Sequence, residues 1–150
     1  ATQLSDARFE KLDARLARFQ TELTTALGAS ISPERSLADL ARTAAAIFLD
    51  HWAAHRFLIE CYVRRLGTGL PTETVRDGLH PPLAEWLSAA LTARRIDATH
   101  AALAAQGLLG LWMRVGLRAA FEPAARQGAI DVLTKMTVGA ISALTEEERP

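Results

Sequence analysis

Apolar side chains recur every three or four positions along almost the whole chain, which is the spacing of one face of an α-helix. No segment shows the alternation of β-branched and polar residues that is typical of a strand. The pattern therefore predicts an all-α fold: a single domain over residues 1–150, built as a helical bundle of about six helices. The clearest stripe lies in the first helix and consists of Phe9, Leu12, Leu16, Phe19, Leu23 and Leu27.

Capping residues and helix breakers divide this pattern into elements. We expect Ser5 to cap the first helix and Gly28 to end it. In the sequence SPER, Ser32 should cap the second helix, because a proline at the first helical position and a glutamate in the first turn follow it. No proline or glycine then intervenes before Leu66, so this stretch is either one long helix or two helices that meet near Asp50–Ala53.

Four more helices are expected in the second half of the chain. A short polar helix at Thr72–Gly78 precedes a helix that carries Trp86 and closes at Arg94–Arg95. The next spans Asp97–Phe121, with its aspartate as the N-cap, and the last opens at Pro123.

The composition is that of an ordinary water-soluble domain, with 49% hydrophobic and 23% charged residues. Seventeen basic and seventeen acidic residues balance, so the chain lacks the charge of a module that grips nucleic-acid phosphates by itself. No apolar run approaches the ~20 residues that a transmembrane helix needs, so no membrane partner is expected. The lone Cys61 allows no intrachain disulfide and fits a cytoplasmic protein.

The segment LDHWAAHRFLIECY places His51 and His55 on one face of a helix, one turn apart. This spacing fits three roles: two core histidines, polar anchors in a ligand pocket, or ligands of a metal or haem iron. A metal needs further ligands, and the nearby candidates Asp50, Cys61, His80 and His100 do not sit at a diagnostic spacing. The segment therefore favours pocket lining or core, with no metal and no cofactor.

The sequence offers little for catalysis. Ser88, Ser142 and the single cysteine have no histidine at a recognisable spacing. The chain also lacks a glycine-rich phosphate loop and the Glu-x-x-His pair of di-iron bundles. We therefore expect a binding protein and not an enzyme.

The order of elements resembles the C-terminal effector-binding and dimerisation domain of TetR-family transcriptional regulators. The resemblance rests on SPERSLADLA entering a long helix, on IFLDHWAAHRFLIECY, on LAEWLSAAL, and on RIDATHAALAAQGLLGLWMRV before a final helix. It implies a homodimeric repressor that releases operator DNA when a small hydrophobic effector fills its pocket. The helix-turn-helix of that family would precede Ser5 and is absent from this chain, so DNA would be contacted only through that missing part. The alternative is a stand-alone helical protein that binds a metal or haem with His51 and His55.

An effector pocket is expected between the second helix and the helices that carry Trp86 and Gln106, because polar atoms there interrupt apolar, aromatic-rich helices. Gln106 in particular should be a buried amide in need of a partner. The residues predicted to bind the ligand are Trp52, His55, Tyr62, Trp86, Gln106 and Met113.

The last two helices are expected to pair with those of a second copy in a four-helix bundle. The Asp97–Phe121 helix is apolar on almost every side, and the final helix has an apolar arc wider than the ~100° stripe of a surface helix. Glycines in the first of these would allow close helix approach. The predicted dimer interface comprises Gly107, Gly110, Leu111, Arg114, Ile130, Leu133, Met136, Thr137 and Ile141.

Overall fold

A computed structural model describes residues 2–30, 34–66 and 81–147 of the chain, and these residues contain no strand. The predicted all-α helical bundle is therefore confirmed, with six α-helices in the described ranges. No helix among them is both long and apolar enough to cross a membrane. The helices are α1 (Thr2–Ser30), α2 (Leu37–Ala54), α3 (Arg56–Leu66), α4 (Pro81–Thr92), α5 (Ala98–Phe121) and α6 (Arg126–Glu147).

Helix α2 lies at the centre of the bundle, where it packs against α1, α5 and α6. Three of its alanines, Ala41, Ala44 and Ala45, are buried and allow neighbouring helices to approach closely. Phe48 and Trp52 fill the space further along the same helix. Burial of each such large side chain contributes roughly 1.5–3 kcal/mol, so this face of α2 is a principal source of the fold's stability.

The predicted ends of the first helix are wrong. The helix begins at Thr2, so Ser5 is an interior residue, and it continues through Gly28 to Ser30. Leu27 is buried, and packing of this turn outweighs the cost of about 1 kcal/mol for a helical glycine. The Ser30 hydroxyl donates to the Leu27 carbonyl at 2.6 Å, which satisfies one carbonyl of the last turn.

The second predicted helix is two helices, which settles the alternative that the sequence left open. The predicted start after Ser32 is wrong: residues 34–36 are not helical, and Ser36 caps α2 by accepting a hydrogen bond from the Asp39 amide. The break falls at His55, where φ is −113° and ψ is 26°, slightly beyond the predicted Asp50–Ala53. Non-glycine residues can adopt this conformation, so the helix break needs neither a proline nor a glycine in the sequence.

The prediction for α5 is confirmed at both ends. The Asp97 side chain accepts hydrogen bonds from the Thr99 and His100 amides, and the helix ends at Phe121. Before it, α4 ends at Thr92 and a turn at residues 93–95 follows. The last predicted helix opens with a 3₁₀ turn at Pro123–Ala125 before α6 begins. The predicted helix at Thr72–Gly78 lies outside the described residues.

The close approach that α5 makes to another helix occurs at Gly116. A Cβ atom there would lie 2.5 Å from Phe48 Cε1 and 3.3 Å from Trp52 Cε3, both on α2. Gly107 and Gly110, the positions predicted for this role, are exposed and would meet no atom within 4 Å. Within one chain, therefore, only the third glycine of α5 serves helix packing.

Candidate functional site

A chain of aromatic rings connects three helices through the middle of the bundle. Ring centroids of Trp86 on α4 and Trp112 on α5 are 5.8 Å apart. Trp112 lies 5.6 Å from Phe48, which lies 4.8 Å from Trp52, both on α2. These spacings are those of favourable offset and edge contacts, so the cluster is both an apolar core and a rigid aromatic wall.

Two buried tryptophans in this cluster differ in whether their indole N–H groups have a hydrogen-bond partner. Trp112 Nε1 donates a hydrogen bond to the Thr137 hydroxyl at 2.8 Å. Trp52 is only 2% exposed, and its buried Nε1 makes no hydrogen bond to any residue that the structure describes. A buried N–H without a partner costs about 1–3 kcal/mol, so Trp52 holds an unused donor at the centre of the protein.

The predicted pocket residues do not all meet at this cluster. Trp52 and Trp86 belong to it, and Met113 packs, half-buried, against the core. Gln106 is exposed, so the prediction of a buried amide is wrong: it lies on the solvent side of α5. His55 packs against Phe19 and His51 instead of joining the tryptophans.

The predicted cavity itself remains a prediction. Three cavities are lined by described residues, and neither Trp52 nor Trp86 contributes to them. The side chain of Tyr62, another predicted wall of the pocket, lies outside the described residues.

A second candidate site lies where α2 ends beside α1. Glu22 on α1, His51 on α2 and His55, the C-cap residue of α2, each offer one potential metal-ligand atom, and these atoms lie within 4.8 Å of one another. The two imidazole rings are 4.5 Å apart, as expected for residues one helical turn apart. His55 Nε2 lies 3.8 Å from Glu22 Oε2.

Backbone carbonyls orient both imidazoles of this site. His55 Nδ1 donates to the His51 carbonyl at 2.9 Å, and His51 Nε2 donates to the Phe19 carbonyl at 3.2 Å. Since a carbonyl only accepts, each of these nitrogens carries the proton and the other nitrogen of each ring carries a lone pair. Burial lowers the pKa of His51, with a smaller lowering from His55, against the raising effect of the Phe19 carbonyl.

An open groove of about 380 Å³ gives solvent access to this second site. Glu22 and His55 form part of its wall, beside Arg18 and Phe57. Arg18 Nε donates to Glu22 Oε1 at 3.1 Å, so the carboxylate faces an arginine on one side and an imidazole on the other. The groove thus has a mixed lining of charged and apolar side chains, among which Phe57 is exposed.

The predicted dimer interface divides into buried and exposed residues. Four of the predicted residues are already buried by the chain's own helices: Ile130, Leu133, Thr137 and Ile141. At these four positions the wide apolar arc of α6 is explained by packing against α2 and α5 of the same chain. Leu111 is half-buried, and the exposed members of the predicted interface are Gly107, Gly110, Arg114 and Met136.

Besides Met136, large apolar residues outside the predicted interface are exposed on the last two helices. Phe121, Val132 and Met136 are 46%, 45% and 52% exposed, respectively. Phe121 and Val132 line an open groove of about 890 Å³ between α5 and α6. The wall of this groove also contains the charged residues Arg114, Arg118 and Glu122.

No protein-family model matches the chain, and neither a curated protein nor a solved structure is significantly similar to it.

Sequence reasoning missed two sets of residues. Glu22 sits on a charged, exposed face of α1, and only the packing of α1 on α2 brings it to the histidines. Val132 was not among the predicted interface residues, yet it is exposed, whereas its neighbour Leu133, which was predicted, is buried. Projection on a helical wheel could have separated these neighbours, because they differ by 100° around the helix.

Proposed function

We propose that the chain is the effector-binding and homodimerisation domain of a TetR-like transcriptional regulator. The observation that carries the binding role is the unpartnered Trp52 Nε1 within the aromatic cluster of α2, α4 and α5. Buried polar groups are nearly always hydrogen-bonded. A buried indole N–H that lacks a protein partner and lies among aromatic rings can therefore donate to an acceptor atom of a bound ligand.

The cluster also defines the class of effector. Its walls are aromatic and aliphatic, so the molecule is largely hydrophobic. The indole nitrogen only donates, so the molecule must also carry an acceptor such as a carbonyl, ether or hydroxyl oxygen. A hydrophobic molecule with one acceptor oxygen satisfies both requirements.

A matched ligand pair tests this role. Compounds that raise the melting temperature of the protein are paired with isosteres in which the acceptor oxygen is replaced by a methylene. Trp52→Phe keeps an aromatic ring but removes the N–H, and should weaken binding of the acceptor compound by about 1–2 kcal/mol more than binding of its isostere. Equal weakening of both compounds, or none, would show that the indole N–H is not a ligand contact.

The groove between α5 and α6 supports the homodimerisation role. A second copy that places its own groove residues there would cover Phe121, Val132 and Met136 across a two-fold axis. Val132 and Met136 lie one turn apart on α6, so they form one continuous exposed face.

Sedimentation velocity of two charge variants tests the interface. Val132→Glu and Met136→Glu should give folded monomers, because an unpaired charge in a desolvated interface opposes association without touching the core. Phe57→Glu is the control, since Phe57 is 70% exposed on α3, outside the last two helices, and this variant should remain dimeric. Leu133→Asp is unsuitable for this purpose, because Leu133 is fully buried in its own chain and the variant would unfold.

One helix links the two parts of the proposed function. Gly116 of α5 lies against Trp52, while its neighbours Val115 and Leu117 line the groove. An effector that prefers one position of α5 would thereby change the geometry of the dimer, which is a shift between two populated arrangements. Operator DNA would respond through a helix-turn-helix carried outside this chain.

A further inference from the structure

We propose that Glu22, His51 and His55 form a binding site for a borderline divalent transition metal ion of the zinc class. The site is distinct from the proposed effector site and does not depend on it. Imidazole nitrogen with carboxylate oxygen is a donor set that zinc accepts, and three protein ligands leave a fourth position for water.

The separations of the three ligand atoms are close to those of a metal centre. Bonds of about 2.0–2.2 Å in a tetrahedron place ligand atoms about 3.4 Å apart. The three atoms here already lie within 4.8 Å of one another, and His55 Nε2 lies 3.8 Å from Glu22 Oε2. The largest separation must therefore contract by little more than 1 Å, and torsional adjustment of the partly exposed Glu22 and His55 side chains can bring the ligand atoms closer.

The histidines are oriented before any ion binds. Each ring donates one N–H to a backbone carbonyl, that of His51 for His55 and that of Phe19 for His51. Metal-bound histidines commonly make such a bond with the nitrogen that does not bind the metal, because it fixes the tautomer and the ring orientation. The remaining nitrogen of each ring is then the one free to bind.

Arg18 sets the strength of the site. Its guanidinium holds Glu22 Oε1 at 3.1 Å and brings a positive charge to the cation's position. The Arg18 side chain is 83% exposed, so it can turn into solvent when an ion binds. The site should consequently be of moderate affinity, and removal of the arginine charge should strengthen it.

The experiment is a calorimetric titration of Zn²⁺ into tag-free protein, previously treated with EDTA, at neutral pH. The exposed Cys61 is replaced by serine throughout, so that a thiol cannot contribute. We expect one zinc ion per chain. Glu22→Gln and His55→Gln should each weaken binding at least about tenfold. Both residues are partly exposed, so circular dichroism should show that these variants fold.

Two further variants distinguish this site from general surface binding. Arg18→Gln should bind zinc about two- to fivefold more tightly, because a competing ion pair is lost. His100→Gln is the matched control: His100 also lies beside a carboxylate, that of Asp97 at 3.7 Å, but no other described histidine joins it in a cluster, and its loss should change nothing. Absence of stoichiometric binding overturns the proposal, as does binding of equal strength in the Glu22 and His55 variants.

Discussion

The hydrogen bond between Trp112 and Thr137 gives the sharpest test of how this core is held together. Both residues are fully buried, and the indole N–H lies 2.8 Å from the hydroxyl oxygen. Thr137→Val keeps the shape of the side chain and removes only the acceptor. Because no water reaches this position, the N–H is left without a partner, and the free energy of unfolding should fall by about 2 kcal/mol, within the 1–3 kcal/mol range for such groups.

Thr134→Val is the matched control on the same helix. Thr134 is also buried, but its hydroxyl donates to the Ile130 carbonyl, which remains within the helical hydrogen-bond ladder after the substitution. This variant should change stability by less than about 0.5 kcal/mol, since it leaves no buried donor unsatisfied.

Urea unfolding at fixed protein concentration, followed by circular dichroism, measures both variants. At about 2–4 °C per kcal/mol for a chain of this size, Thr137→Val should also lower the melting temperature by roughly 4–8 °C. In a Trp112→Phe background the same substitution should cost much less, because no donor remains to be orphaned. Equal destabilisation by the two valine variants, or an undiminished cost in the phenylalanine background, would refute the reasoning.

Two other predictions concern α5 and the histidine site. Gly107→Ala should raise the free energy of unfolding by up to about 1 kcal/mol through helix propensity. Gly116→Ala should lower the free energy of unfolding by about 1–3 kcal/mol, because its Cβ would meet Phe48 at 2.5 Å. Equal changes of stability in the two alanine variants, measured by urea unfolding, would contradict this prediction. With EDTA present, acidification below about pH 6.5 should cost stability, because unfolded His51 binds a proton that the buried ring resists. His51→Gln should reduce this dependence of the free energy of unfolding on pH. An unchanged pH dependence in that variant would contradict the assignment to His51.

Local physics explains which parts of the fold could be predicted from the sequence. The apolar stripe of α1 and the Asp97 cap of α5 depend on residues within one or two turns, and both are found in the structure. The end of α1 could not be predicted in this way, because packing of Leu27 carries the helix past Gly28. Where tertiary contacts outweigh a local preference of about 1 kcal/mol, sequence signals for helix ends fail.

The candidate sites were harder to predict because they depend on partners distant in sequence. Trp52 and Trp112 look equivalent in the sequence. Only the position of Thr137 on another helix gives the indole N–H of Trp112 a hydrogen-bond acceptor that the N–H of Trp52 lacks. Similarly, an apolar arc on α6 indicates burial but not whether the same chain or a second copy provides it. Leu133 is buried by its own chain, whereas Met136 is exposed and is available to a second copy.

The helical repeat explains why the segment from Leu49 to Tyr62 contains parts of two sites. His51 bonds to the Phe19 carbonyl on α1, whereas the next residue, Trp52, lies against Gly116 on α5. Successive residues differ by 100° around a helix, so neighbours in sequence face different helices, while His55 returns to the face of His51 one turn later. The two histidines and Trp52 therefore face different neighbouring helices. A ligand bound at the histidines need not touch Trp52.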